Sequence, residues 1–263
     1  MTAADGTNVS RVTSRDGTAI AYSTSGEGPP VVFVHGTTAD HTSWRLLLPY
    51  LEPHVTVHAV DRRGRAPSGD GPDYHITREF EDVAAVIDAV AQTSGSRVGV
   101  FGHSWGGLLA LGAASLTSNI SGLVLYEPPL HAFAGVTQGL AEQLEAPLET
   151  GDNDEVLVTF YRDVVGLTDA EIDFLHSQPS WQPRAEAAHT IPREMRSLAE
   201  FDPEQLTTID VPTLMLAGSD SPGWIKADTD AIAMAIPDVR VTTLEGQQHL
   251  AHYTIPDTVA EHI

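Results

Sequence analysis

The 263-residue chain contains no cysteine. That absence excludes a disulfide framework, a thiolate nucleophile and a cysteine-based zinc site. Positive charge is scarce: 14 Lys plus Arg stand against 36 Asp plus Glu, a formal net charge of -22. Such a surface repels phosphate backbones and anionic lipid, so no nucleic-acid partner and no membrane partner is expected. No stretch approaches the ~20 apolar residues of a membrane span. The opening MTAADGTNVSR has no basic segment leading into an apolar one and does not read as a secretion signal. These features together predict a soluble, cytoplasmic protein. A GxxxxGK[ST] loop, a GxGxxG after a strand and an HExxH pair are missing too. His249-x-x-His252 offers two metal ligands without a nearby third. No cofactor and no metal are expected; the expected partner is a small-molecule substrate, and no oligomeric state is read from the sequence.

What the chain does have is a rhythm. Short apolar runs recur at 31–34 (VVFV), 55–60 (VTVHAV), 98–101 (VGVF), 122–126 (GLVLY), 213–217 (TLMLA) and 239–244 (VRVTTL). Runs that are continuous rather than alternating suit strands covered on both faces, as in a parallel sheet. The last run alternates more and fits a place nearer the sheet edge. Phe80, Val83, Val86, Ile87 and Val90 repeat at helical spacing, with Thr77 or Asp82 as candidate starts and Gly95 as the stop. Asp16-Gly17 predicts a hairpin ahead of the first parallel strand. The rhythm breaks once, between Tyr126 and Val211, where the sequence is helical in character and too long for a loop. The predicted organisation is an α/β core, with a mostly parallel central sheet flanked by helices, in two parts (1–126 and 211–263). A helical cap (127–210) interrupts it.

Ser104 sits in Gly102-His103-Ser104-Trp105-Gly106, between the run VGVF and the small-residue helix GGLLALGAASL. A strand turning this sharply into a helix strains the middle residue, and the flanking glycines remove Cβ clashes. The hydroxyl is then presented at the carboxyl end of a central strand, beside a helix N-terminus. That placement suits a nucleophile.

With this motif in its strand–turn–helix setting, the chain resembles the α/β-hydrolase superfamily, which holds esterases, lipases, cofactor-free haloperoxidases and carbon–carbon bond hydrolases. The resemblance runs from VVFVHG to the C-terminal helix. It implies that Ser104 is activated by a histidine following the last strand, here His249 in Gly246-Gln247-Gln248-His249, with His252 as competitor. It leaves two places for the acid that orients the imidazole. The usual one lies three residues after the glycine of TLMLAGSDSP; here that position is Ser221, and Asp220 falls one residue early. The other directly follows the strand after the nucleophile helix, where Glu127 precedes Pro128 and Pro129. Glu127 is slightly preferred, with Asp220 as the alternative. The resemblance places the oxyanion hole at the backbone N–H groups of Trp105 and Thr37. The stretch VDRRGRAPSG matches a loop that is normally structural, with Ala66 in place of its second glycine.

The activity expected is hydrolysis of a carboxylic ester of a small or medium, largely apolar substrate through an acyl-enzyme. Phe133, Phe160, Tyr161, Phe174 and Trp181 are expected to supply apolar pocket walls. The rival activities are a cofactor-free haloperoxidase or perhydrolase, and a thioesterase or lactonase of a biosynthetic pathway. The non-enzymatic rival is a ligand-binding protein on the same fold.

Overall fold

A computed structural model of the chain describes residues 8–136 and 139–263. The opening segment 1–7, and Thr137 and Gln138 of the expected cap helices, lie outside them. Eight strands form one sheet: β1 (Asn8–Thr13), β2 (Ala19–Gly26), β3 (Pro30–Val34), β4 (Thr56–Asp61), β5 (Val98–His103), β6 (Ile120–Tyr126), β7 (Thr213–Gly218) and β8 (Val239–Leu244). Their order is β1-β2-β4-β3-β5-β6-β7-β8. The pairings β1–β2 and β2–β4 are antiparallel and all others parallel. The run 239–244 forms β8, one of the two edge strands. The Asp16-Gly17 turn joins β1 to β2, with Gly17 at φ 90 and the Ser14 N–H donating to the Thr18 carbonyl at 2.8 Å.

The continuous apolar runs have their reason in the layers. Val32 and Val34 of β3 pack on one face with Val100 and Leu108, while Val31 and Phe33 pack on the other with Trp44 and Phe101. Successive side chains point to opposite faces, and both faces are buried. The helix Ile76–Ser94 buries Phe80, Val83, Val86, Ile87 and Val90, and Gly95 (φ 70) closes it. Its start differs from expectation: it begins at Ile76, after an extended His75 with no side-chain cap. Asp82 lies inside it, buried, because its carboxylate receives Arg63 at 2.7 and 2.8 Å.

Between β6 and β7 the described residues form only helical elements, from His131–Val136 to Pro203–Thr208. Buried ion pairs fasten this insertion to the core. Arg62 holds Glu79 through two 2.7 Å hydrogen bonds. Glu194, from the insertion helix Ile191–Ser197, receives Arg62 at 2.9 Å and Arg65 at 2.7 Å. The three arginines of VDRRGRAPSG are thus structural, paired and buried. Removing one partner of such a pair typically costs about 3–5 kcal/mol, because the other charge is left without its counterpart. Among the described residues no helix is long and apolar enough to cross a membrane.

Candidate active site

The carboxyl ends of β3, β5, β6, β7 and β8 deliver the residues that matter. After β5, Ser104 adopts φ 55 and ψ -126, and its N–H donates to the Tyr126 carbonyl of β6 at 2.8 Å. The helix Trp105–Ala114 begins at once. Gly106 lets this helix press onto β3: a Cβ there would lie 2.1 Å from the Val34 carbonyl oxygen. The Trp105 N–H is the first of the helix, one of the N–H groups that a helix leaves without an intrahelical acceptor.

The loop after β3 comes equally close. A Cβ on Gly36 would sit 2.9 Å from the Cβ of Ser104. The Gly36 carbonyl accepts from Arg62 Nη1 at 3.1 Å and from His35 Nδ1 at 2.9 Å. A trans peptide is planar, so the Thr37 N–H points the opposite way, away from these donors. The Thr37 hydroxyl donates to Glu194 at 2.8 Å, so the insertion also steadies this loop.

His249 is buried, and its Nδ1 lies 2.5 Å from Glu127 Oε2. An N–H donated from Nδ1 to a carboxylate leaves Nε2 as the accepting nitrogen. Glu127 is fully buried, and its Oε1 accepts from the Gly218 N–H at 2.7 Å and the Ser221 hydroxyl at 2.6 Å. Ser221, at the position where the resemblance expected an acid, therefore braces Glu127. Asp220 is exposed; its carboxylate accepts from the Ser219 hydroxyl at 2.8 Å and makes no contact with His249. The geometry joins Glu127, and not Asp220, to the imidazole. His252 is buried with its Nδ1 unpartnered and pairs with no carboxylate among the described residues. The His249 backbone is held as well. His103 Nε2 donates to its carbonyl at 3.0 Å, and the Tyr126 hydroxyl ties the Gln248 carbonyl and the Ala251 N–H.

Among the described residues the only non-glycine positive φ values belong to Thr38 (67), Ser104 (55) and Glu127 (50). Backbone held in such sparsely populated conformations costs of order 1–3 kcal/mol per residue. All three stand at this site, where such strain usually accompanies function.

Ser104, His249, Gly36 and Thr37 line one cavity of about 30 Å³. The Ser104 hydroxyl makes no hydrogen bond among the described residues, to His249 included; in ligand-free sites such contacts often tighten only with substrate. The walls are less apolar than expected. Phe160 and Tyr161 do line the cavity, carried there by a π-helical turn, but so do Arg184, His103 and His252. Phe133 instead packs on Trp224, Phe174 is 40% exposed, and Trp181 stands behind Tyr161, donating to Asp154 at 2.7 Å. A larger groove of about 550 Å³ lies at the amino ends of the strands, lined by Val31, Gly99, Leu123 and Leu214. None of the site residues reaches it.

Sequence reasoning missed Tyr126, Ser221, Glu194 and Arg184. Only Ser221 carried a signal, by its spacing from Gly218.

Known proteins share this architecture. A model of the alpha/beta hydrolase family matches residues 31–262. The crystal structure of an alpha/beta hydrolase from Sphaerobacter thermophilus DSM 20745 is 34% identical. It covers 96% of this chain and 97% of its own, with a TM-score of 0.79. The 2-hydroxy-6-oxo-6-(2'-aminophenyl)hexa-2,4-dienoic acid hydrolase of Metapseudomonas resinovorans is 26% identical over 204 residues, 74% of this chain and 68% of that protein. A pimeloyl-[acyl-carrier protein] methyl ester esterase of Xanthomonas campestris pv. campestris is 26% identical over 245 residues, 89% of this chain and 93% of that protein.

Proposed function

The chain belongs to the alpha/beta hydrolase family, and on that premise we propose that it is a serine hydrolase cleaving a carboxylic ester. One observation carries the reading: the His249 imidazole is held by a buried Glu127 in the cavity that Ser104 lines. Ser104 attacks the ester carbonyl while His249 Nε2 takes its proton. Glu127 fixes the tautomer and stabilises the imidazolium. The N–H groups of Trp105 and Thr37 bind the tetrahedral oxyanion, each such donor being worth about 3–4 kcal/mol in the transition state. The imidazolium protonates the leaving alkoxide, and an acyl-serine remains. Water, deprotonated by the same imidazole, releases the acid. The esterase among the relatives supports ester chemistry for this arrangement. The helical insertion, 127–210, acts as a cap. A cavity of about 30 Å³ has room for about one water-sized group, so its walls must part for substrate.

A fluorophosphonate probe tests the nucleophile. Mass spectrometry is expected to find one adduct, on Ser104, and none in Ser104→Ala. A folded wild-type protein that stays unlabelled refutes the proposal. Crowding offers a second test. Gly36→Ala pushes a methyl group against the Ser104 side chain. It is expected to lower kcat about 10- to 100-fold, since ~1 Å of misplacement costs that much. Wild-type turnover of a model ester by this variant would mean that the close approach has no catalytic meaning.

A further inference from the structure

Arg184 is a buried cation that makes no direct contact with a carboxylate among the described residues. It stands on the insertion helix Trp181–Glu186, is 6% exposed and lines the cavity with Ser104 and His249. Its Nη1 donates to the Tyr161 hydroxyl at 2.9 Å and to the Thr38 hydroxyl at 3.3 Å. Its Nη2 donates to Tyr253 at 2.8 Å and to Ser43 at 3.1 Å. All four partners are neutral, and its Nε is buried with no partner. Among the described residues Arg184 makes no ion pair, whereas the buried Arg62, Arg63 and Arg65 each meet a carboxylate. A charge this deep ordinarily has a counter-ion, and a chain with 36 acidic residues does not lack candidates. The charge of Asp40, on the neighbouring loop, is felt at Arg184, but its carboxylate makes no hydrogen bond to the guanidinium and accepts instead from the Thr42 N–H and hydroxyl.

Each hydroxyl that accepts from Arg184 still has its own proton to donate. Thr38 and Tyr161 share one proton across 2.6 Å, leaving the other's free. The hydroxyl protons of Ser43 and Tyr253 find no acceptor among the described residues. With the Arg184 Nε–H, four donors of this cluster make no hydrogen bond to an acceptor among the described residues. Arg45 adds a second cation: its guanidinium lies 5.4 Å from the centre of the Tyr253 ring, and its Nη1 is also buried and unpartnered. The neighbouring His252 is kept neutral, first by burial and then by the charge of Arg184.

We propose that Arg184, with the hydroxyls of Tyr253, Ser43, Tyr161 and Thr38, is the subsite for an ionised carboxylate carried by the substrate. The ester is then one whose acyl or alcohol half bears a second, free carboxylate. A carboxylate fits better than a phosphate monoester: it is smaller, the cavity is only about 30 Å³, and Arg184 lines it whereas Arg45 does not. This inference rests on the serine-hydrolase reading and names its substrate class. A site built to satisfy a charged group rejects an analogue lacking it strongly, because the buried donors are then left unmet.

Two measurements test it. In the first, purified protein is assayed on matched pairs: monomethyl succinate, glutarate and adipate against methyl alkanoates of equal length, and acetylglycolate against its methyl ester. At least one series is expected to favour the charged member in kcat/KM by about 100-fold or more, with the ratio falling towards one in Arg184→Met and in part in Arg184→Lys. Equal rates for charged and neutral members in every series overturn the carboxylate subsite and leave the serine mechanism standing. The second measurement needs no variant. Glutarate is expected to slow fluorophosphonate labelling of Ser104 in the wild type, and glutaramide of the same length is not. Equal protection by both, or by neither, overturns the subsite. Absence of labelling in folded protein overturns the mechanism and the subsite together.

Discussion

Glu127→Gln is expected to lower kcat about 10,000-fold, the scale seen when an orienting carboxylate is replaced by its amide, with little change in KM or in the far-ultraviolet spectrum. The reason lies in how the carboxylate is held. Two donors, the Gly218 N–H and the Ser221 hydroxyl, fix what stands at Oε1. In the substituted amide the oxygen must stay there, because an NH₂ group cannot accept from the Gly218 N–H. The NH₂ therefore faces His249 Nδ1, and an N–H aimed at that nitrogen makes it the acceptor. The proton moves to Nε2, where the base is needed, and the imidazole is locked in the wrong tautomer. The side chain keeps its shape and its bracing, so the loss is in turnover rather than folding. Asp220→Asn, by contrast, is expected to stay within a few-fold of wild type, since Asp220 is exposed and bonded to Ser219. Steady-state kinetics of both variants on one model ester decide the matter. Full activity in Glu127→Gln, or a comparable loss in Asp220→Asn, removes Glu127 from the mechanism.

The contrast between these two carboxylates shows how far the sequence could be read. The strands were legible because a sheet buried on both faces leaves unbroken apolar runs such as VVFV and VGVF. The turn at Ser104 was legible because small residues must stand where helix and β3 nearly touch. Both signals are local. The partner of His249 is not: spacing within TLMLAGSDSP and the position after GLVLY each offered a carboxylate, and only the packing of β6 beside β7 selects one. The Arg184 cluster was invisible for the same reason. Thr38, Ser43, Tyr161 and Tyr253 come from separate segments, and no periodicity marks residues that meet only through tertiary packing. The aromatic walls failed on orientation. Composition placed Phe133, Phe174 and Trp181 in the insertion, but which face of a short helix turns inward depends on its neighbours.

Stability is expected to fall steeply as pH drops below about 6.5. His35, His103 and His252 are held well below the ordinary imidazole value of 6.5, in each case first by burial. For His35 the nearby arginines Arg62 and Arg65 add to it, and for His103 the other two imidazoles, His252 and His249. The folded protein keeps the three neutral, while the unfolded chain takes up a proton at each once the pH falls below that ordinary value. The unfolded state then binds three more protons than the folded one, and stability declines by about 4 kcal/mol per pH unit. A domain whose whole margin is roughly 5–15 kcal/mol cannot sustain that over many units. A later loss compounds it. The arginines around Glu194 hold its carboxyl, against the cost of burial, at about 2 instead of 4.5. The stabilisation from that pairing is complete above the unfolded value and drains away as pH falls towards 2, loosening the joint between insertion and core. Burial raises Asp61 and Asp82, which take up protons in the folded state first and offset part of the decline near pH 4. Urea midpoints followed by circular dichroism from pH 8 to pH 5 measure the first effect. They should hold nearly level above pH 7 and then drop progressively, and His252→Gln should reduce the slope by about a third, one proton in three. Midpoints that stay level down to pH 5 would mean that the three imidazoles are charged or exposed in the folded protein, and that the site's interior is far wetter than its burial indicates.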